Sequence, residues 1–262
     1  MDLGIRGKVA MVAAGSKGLG RAAALALAAE GCAVSVCGRG AESLAAVKAE
    51  LEALGVRALA VAADVSKAEE LARWHEATVA ALGPVQILVT NTGGPKAATF
   101  DGLSDADWAE GVDSTLMNVV RLARLVLPGM RAAQWGRIIH ITSLVAKQPY
   151  PLLTISSTLR AGLSGLTRTL ALETAADGIT VNALLPGHIM TDRQHHLAAV
   201  KSQAEGITVE EHFTRQAATI PARRIGRPEE AGAVIAFLCS GQASYLTGQS
   251  LLVDGGLVQG TF

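Results

Sequence analysis

Aromatic residues are scarce in this sequence: three tryptophans, two tyrosines and four phenylalanines make up 3% of 262 residues. A core without large rings must be filled by Ala, Leu, Val and Ile, which suits helices packed closely against a sheet. Cysteine is as sparse. Cys32, Cys37 and Cys239 are odd in number, form no CxxC pair and have no interleaved His, so neither a disulfide framework nor a zinc site is suggested, and a reducing cytoplasm fits. An excess of charge is missing too. With 23 basic against 23 acidic residues and no basic block able to follow a phosphate backbone, neither nucleic-acid binding nor a polybasic membrane anchor is expected. The longest purely aliphatic stretch, 22–29, falls far short of the roughly 20 residues that cross a bilayer. A start at Asp2 instead of a basic n-region, and an apolar run at 9–14 that leads into glycines, argue against export. Half the residues are apolar, enough for one large core and too many for a disordered chain.

Periodicity alternates short β-rich runs with longer Ala/Leu/Glu segments. Strands are expected at 8–13, 33–37, 56–61, 86–90, 137–142, 179–185 and 250–253, and helices between them, among them 105–130, 156–176 and 228–239. Strands joined by helical crossovers run parallel and are covered on both faces, so the expectation is an α/β chain. It would form one domain over 1–262, a doubly wound seven-stranded parallel sheet with ligands at the strands' C-terminal ends. The segment 191–221, polar and helical, follows a strand end and reads equally as a lid over a ligand or as a plain connector.

The first strand runs into Gly15-Ser16-Lys17-Gly18-Leu19-Gly20 and then an Ala-rich helix. Glycines there let the chain turn tightly and bring helix N-terminal amides to a pyrophosphate, whose charge the helix dipole favours. A lone Gly-rich turn means little, but this one sits between the first strand and first helix of a βαβ series. After the second strand comes Cys37-Gly38-Arg39, with no acid to accept from an NAD ribose. Arg39 and Lys17 favour NADP(H) over NAD(H) as cofactor, the alternative being that Arg39 is merely an exposed loop residue.

Over essentially its whole length the chain resembles the short-chain dehydrogenase/reductase family, which implies the Rossmann-type fold. Asp64-Val65 matches the residues that flank the adenine in the family, and Asn91-Thr92-Gly93-Gly94 is similar to its turn after the fourth strand. Ser143, after Ile141-Thr142, stands where the family carries its catalytic serine. Pro186-Gly187, Ile189 and Thr191 match the turn that holds the nicotinamide, and Asp254-Gly255-Gly256 resembles the C-terminal signature. The resemblance further implies a homo-oligomer, tetramer or dimer, built through the helices at 105–130 and 156–176, and a small-molecule substrate.

The departures bear on chemistry. Where the family has its tyrosine and lysine, this chain has Ser156 and Arg160, thirteen and seventeen residues after Ser143. The family's asparagine falls on Thr115, with Asn118 one turn on, and its first turn glycine falls on Ala14. An aliphatic hydroxyl is a far weaker acid than a phenol, and a guanidinium stays charged yet offers several donors to a ribose or an anionic substrate. Tyr150, in the loop between Ser143 and Ser156, and His188, after Pro186-Gly187, are further candidates to supply a proton, each with a plainer reading as a loop or turn residue. His195, His196 and His212 could bind metal, but no ligand spacing supports one.

Two functions stand open. One is an NADP(H)-dependent oxidoreductase working between a carbonyl and an alcohol with an altered proton-donor system. The other is a cofactor-binding protein with little redox activity, a sensor or silent subunit. The substrate is not legible; Arg223, Arg224 and Arg227 read as a solvated loop and helix start, not as a site for an acidic carrier protein.

Overall fold

The computed structural model describes residues 2–261, the side chain of His196 excepted. Among them are seven strands, β1 (Val9–Val12), β2 (Ala33–Gly38), β3 (Ala58–Ala62), β4 (Ile87–Thr90), β5 (Gly136–Ile141), β6 (Ile179–Pro186) and β7 (Ser250–Val253). They form one sheet in the order β3-β2-β1-β4-β5-β6-β7, parallel at every pairing. The chain winds outward from β1 to β3, then returns beside β1 with β4 and winds the other way. That reversal opens a crevice where the carboxyl ends of β1 and β4 diverge.

The central strands β1, β2, β4, β5 and β6 are buried throughout, as their near-continuous Val/Ile/Leu/Ala runs require when both faces are covered. Helices α1 (Gly18–Ala29), α2 (Ala41–Ala53) and α9 (Pro228–Leu238) cover one face through Leu27, Leu51 and Ile235. The other is covered by α3 (Ala68–Leu82), α5 (Asn118–Ala133) and α6 (Thr154–Thr174), through Leu71, Trp74, Leu122 and Ala171. Trp74, a large ring that is fully buried, has its polar atom satisfied: Nε1 donates to Ser35 Oγ at 2.8 Å.

The helix expected at 105–130 is not uniform. It comprises α4 (Asp105–Gly111), a π-helical stretch at Val112–Met117, and α5, which runs on to Ala133. Side-chain periodicity marks a helical face but not one widened turn, and such turns recur beside functional sites. Gly111 explains the close approach there, because a Cβ would lie 2.5 Å from Ile155 Cγ2 on α6. The expected strand at 56–61 begins two residues later, at Ala58. The segment 191–221 contains two helices, α7 (Asp192–Glu205) and α8 (Val209–Thr219).

Candidate functional site

A cleft of about 660 Å³ opens at the carboxyl ends of β1, β2 and β4. The first βα turn supplies Ser16, Lys17, Gly18 and Leu19 to its floor, and the end of β2 supplies Arg39. Asp64 and Val65 follow β3, and Asn91, Thr92 and Gly93 follow β4. Thr191 closes the cleft from the opposite side, its methyl 3.4 Å from where a Cβ on Gly18 would stand. Gly15, Gly20, Pro186, Gly187 and Ile189 shape the walls without lining the space. Pro186 pairs with Val253, and a Cβ on Gly187 would meet Asp254 at 2.6 Å. Ile189 is buried, packed against Gly226.

The first turn is built for a close backbone approach. A Cβ on Gly20 would meet the carbonyl oxygen of Ala14 inside contact distance and Asn91 Nδ2 at 2.9 Å. Ala14 itself sits at φ 45, a left-handed conformation that costs an L-residue roughly 1–2 kcal/mol. Ala14→Gly is therefore expected to raise stability by about 1 kcal/mol, less the extra freedom glycine has when unfolded, and Tm by about 2 °C. A thermal melt checks this, and an unchanged or lower Tm contradicts it. Helix α1 begins at Gly18 with no side-chain cap from Lys17, so its first amides are left to the cleft. An uncapped helix N-terminus on a glycine turn, with a lysine beside it, fits the diphosphate of a dinucleotide.

At the far edge Arg39 is exposed, and its guanidinium is 4.0 Å from Asp64 Oδ2. Asp64 Oδ1 accepts from both the amide and hydroxyl of Ser66 at 2.9 and 2.8 Å, and these bonds hold its carboxyl below the usual range. A carboxylate thus does stand near Arg39, two residues past β3 and not at the tip of β2.

Ser143, Tyr150, Ser156 and Arg160 lie outside the lining of this cleft; Ser143 caps the 3-10 turn Leu144–Ala146 after β5, its Oγ accepting from Val145 N at 3.3 Å. Helix α6 packs on that turn and carries Ser156 and Arg160 one helical turn apart. Arg160 Nε donates to Ser156 Oγ at 3.2 Å, and Nη1 to the Ile141 carbonyl at 3.4 Å. Burial, reinforced by the positive charge of Arg193, lowers Arg160 to about 10, which leaves it charged at neutral pH. Tyr150 Oη accepts from Gln148 Nε2 at 3.2 Å. Among the described residues no hydrogen bond joins Tyr150 to Ser143, Ser156 or Arg160. His188 faces the helices of 191–221, its Nδ1 accepting from Gln216 Nε2 at 3.2 Å. Thr115 lies in the π-helical stretch with its hydroxyl buried and unpartnered, while Asn118 Nδ2 donates to the Ser114 carbonyl at 2.7 Å.

Two residues escaped the sequence reading. Ser114 lines the cleft because the widened turn exposes it there. Arg193, in the first turn of α7, reaches back over Gly94 and also lines the cleft. Its only sequence signal was the N-cap Thr191, which marks a helix start but not the loop that start will face. Burial pushes the Cys32 and Cys37 thiols up to about 12, so neither is poised as a nucleophile. No three His, Cys, Asp or Glu side chains converge as a metal site, and no helix is long and apolar enough to cross a membrane, among the described residues.

A family model described as Enoyl-(Acyl carrier protein) reductase matches residues 13–258. The chain belongs to the short-chain dehydrogenase/reductase family. This family member is 35% identical to the 3-oxoacyl-(acyl-carrier-protein) reductase FabG of Pseudomonas aeruginosa over 97% of its own length and 99% of the relative's. It is 37% identical to nodulation protein G of Azospirillum brasilense over 95% and 98%. Among solved structures it matches L-sorbose reductase of Gluconobacter frateurii, complexed with NADPH and L-sorbose, at 35% identity and a TM-score of 0.95, covering 99% of this chain and 100% of that one. A variant of actinorhodin polyketide ketoreductase with NADPH matches at 35% identity and a TM-score of 0.91, over 95% and 97%.

Proposed function

We propose that this protein is an NADP(H)-dependent oxidoreductase that interconverts a carbonyl and an alcohol with Ser156 and Arg160 in place of a tyrosine and a lysine. The observation that carries this reading is the Arg160 Nε to Ser156 Oγ hydrogen bond, set at the end of β5 beside Ser143. NADPH, bound along the cleft, supplies a hydride. Ser156 Oγ accepts from Arg160, so its own hydrogen is left to bond a substrate oxygen, as is that of Ser143; as hydride adds, the Ser156 proton passes to the forming alkoxide and is replaced on Ser156 from solvent. The fixed guanidinium stabilises the negative charge that develops on that oxygen, an electrostatic role which an aliphatic hydroxyl alone cannot fill. Tyr150, which no hydrogen bond joins to Ser143, Ser156 or Arg160 among the described residues, is given no proton step.

The cofactor's diphosphate belongs on the N-terminus of α1, its 2′-phosphate beside Arg39 and Lys17, and its nicotinamide end by Asn91, Thr191 and Arg160. Support for NADP(H) comes from the two cations, and from the NADPH present in the sorbose reductase and ketoreductase structures. Arg39→Ala is expected to weaken NADPH binding about tenfold and leave NADH binding unchanged, since an exposed cation meets only the 2′-phosphate. Titration of both cofactors into wild type and variant checks this, and equal NADPH affinity in the two proteins removes Arg39 from the site.

The deciding experiment follows NADPH absorbance with a broad panel of ketones and aldehydes, and NADP+ reduction with alcohols. Turnover supports the proposal. Silence across the panel despite confirmed cofactor binding overturns it in favour of a non-catalytic binding protein. With this reading go a single domain, a lid role for 191–221, and a homotetramer or homodimer; a monomer by light scattering contradicts the last.

A further inference from the structure

We propose that the substrate of this site carries a carboxylate, gripped by Arg193 and Arg160 between the chain ends that follow β4 and β5. The inference rests on the function proposed above and names the substrate class for it.

Arg160 is 7% exposed, yet among the described residues no carboxylate lies within 4.0 Å of its guanidinium. Its two internal bonds go to neutral acceptors, Ser156 Oγ and the Ile141 carbonyl, and Nη2 donates to no described residue. A buried cation without a counter-ion is costly to keep unless it serves an anion that arrives from outside. Arg193 differs in standing exposed at the rim of the cleft, but it is likewise unpaired. Its guanidinium atoms lie 3.2 to 3.4 Å from the position of a Cβ on Gly94, in the turn after β4, and it makes neither ion pair nor hydrogen bond with a described residue. β4 and β5 are neighbours in the sheet, so two unpaired guanidiniums are brought to adjacent strand ends. Burial, and after it the positive charge of Arg193, lowers Arg160.

The acids of the cleft do not answer these charges. Asp107 is held by Lys96 and Ser104, and neither Glu110 nor Asp192 comes within 4.0 Å of either guanidinium. The anions of the dinucleotide are matched elsewhere, by the N-terminus of α1, Lys17 and Arg39. What remains for the pair is an anion on the substrate, and the planar forks of two arginines suit a carboxylate. With its carbonyl oxygen at Ser143 and Ser156, the substrate is then a keto acid.

The test uses the full chain saturated with NADPH, and acetoacetate, levulinate and 2-oxoglutarate, each against its methyl ester, with binding read by calorimetry and turnover by NADPH absorbance. At least one acid is expected to bind ten times or more tighter than its ester. Arg193→Ala should bring the two within about twofold of each other, and Arg193→Lys should restore part of the preference. Acids and esters bound equally by wild type, or no acid bound at all while NADPH is, overturn this inference alone. So does an Arg193→Ala protein that keeps the preference but loses NADPH affinity tenfold, which would make Arg193 a cofactor residue. Failure to bind NADPH overturns the proposed function, and the inference with it.

Discussion

Replacing Arg160 by alanine is expected to lower kcat/KM for NADPH-dependent carbonyl reduction by a factor of a hundred or more. The reason is the position of its charge: it is buried, hydrogen-bonded to Ser156 Oγ at 3.2 Å and to the end of β5 at 3.4 Å, so it acts on the reacting oxygen through a low dielectric. Losing one fixed donor from such a site typically costs about a hundred- to a thousandfold in rate. Arg160→Lys separates charge from geometry, since the ammonium keeps the charge but lacks the fork that can hold Ser156 and a ligand together. It should recover only part of the loss, with the circular dichroism of the folded protein as the control. The double variant Ser156→Tyr/Arg160→Lys decides the origin of the pair. If Ser156 and Arg160 form a working site, a phenol in that space displaces substrate, and native turnover falls below that of wild type. A rise in carbonyl reduction would mark the natural pair as a lost function. Arg160→Ala with unchanged NADPH affinity and unchanged turnover defeats the mechanism outright.

The strand-by-strand plan was legible because each buried parallel strand is a short run of Val, Ile, Leu and Ala between helical segments, and because Gly15, Gly18 and Gly20 punctuate the first turn. Ser143, Ser156 and Arg160 were singled out by the resemblance to the family, whose spacing they keep; Arg160 follows Ser156 by one helical turn and α6 runs unbroken through both. The widened turn at Val112–Met117 was not legible, because it adds no apolar residue and breaks no period; it shows only in which carbonyls the amides reach. Arg193 was invisible for another reason. Its place over Gly94 depends on how the start of α7 faces the turn after β4, a tertiary fact that no local pattern carries. The near approach of Asp64 to Arg39 belongs to the same class, a contact between the ends of two paired strands, β2 and β3. The residues that match the family build the cradle; in the function proposed above, Arg160 and Arg193 would set what that cradle holds.

Stability is expected to fall by about 2 kcal/mol between pH 7 and pH 5, and His140 is the chief cause. Its imidazole is fully buried on β5, and burial lowers it to about 4 from an ordinary value near 6.5. The tautomer follows from its neighbour. Thr167 Oγ1 donates to the Leu163 carbonyl at 2.7 Å, so it accepts from His140 Nδ1–H at 2.9 Å, which leaves Nε2 as a lone pair with no partner. A second proton would have to sit on Nε2 in an apolar surround. The unfolded chain takes up that proton below pH 6.5 and the folded chain only below about 4. The group's contribution is therefore complete above 6.5 and is lost as the pH drops toward 4, a window above that of the strongly depressed carboxylates Asp107 and Glu230. His140→Asn keeps an amide donor toward Thr167 and cannot be protonated, so its urea-unfolding free energy should change much less between pH 7 and pH 5. His75 and His188, lowered in the same direction by partial burial, leave a residual slope in the variant. Equal slopes in wild type and His140→Asn would show that His140 is not the residue that resists protonation in the fold.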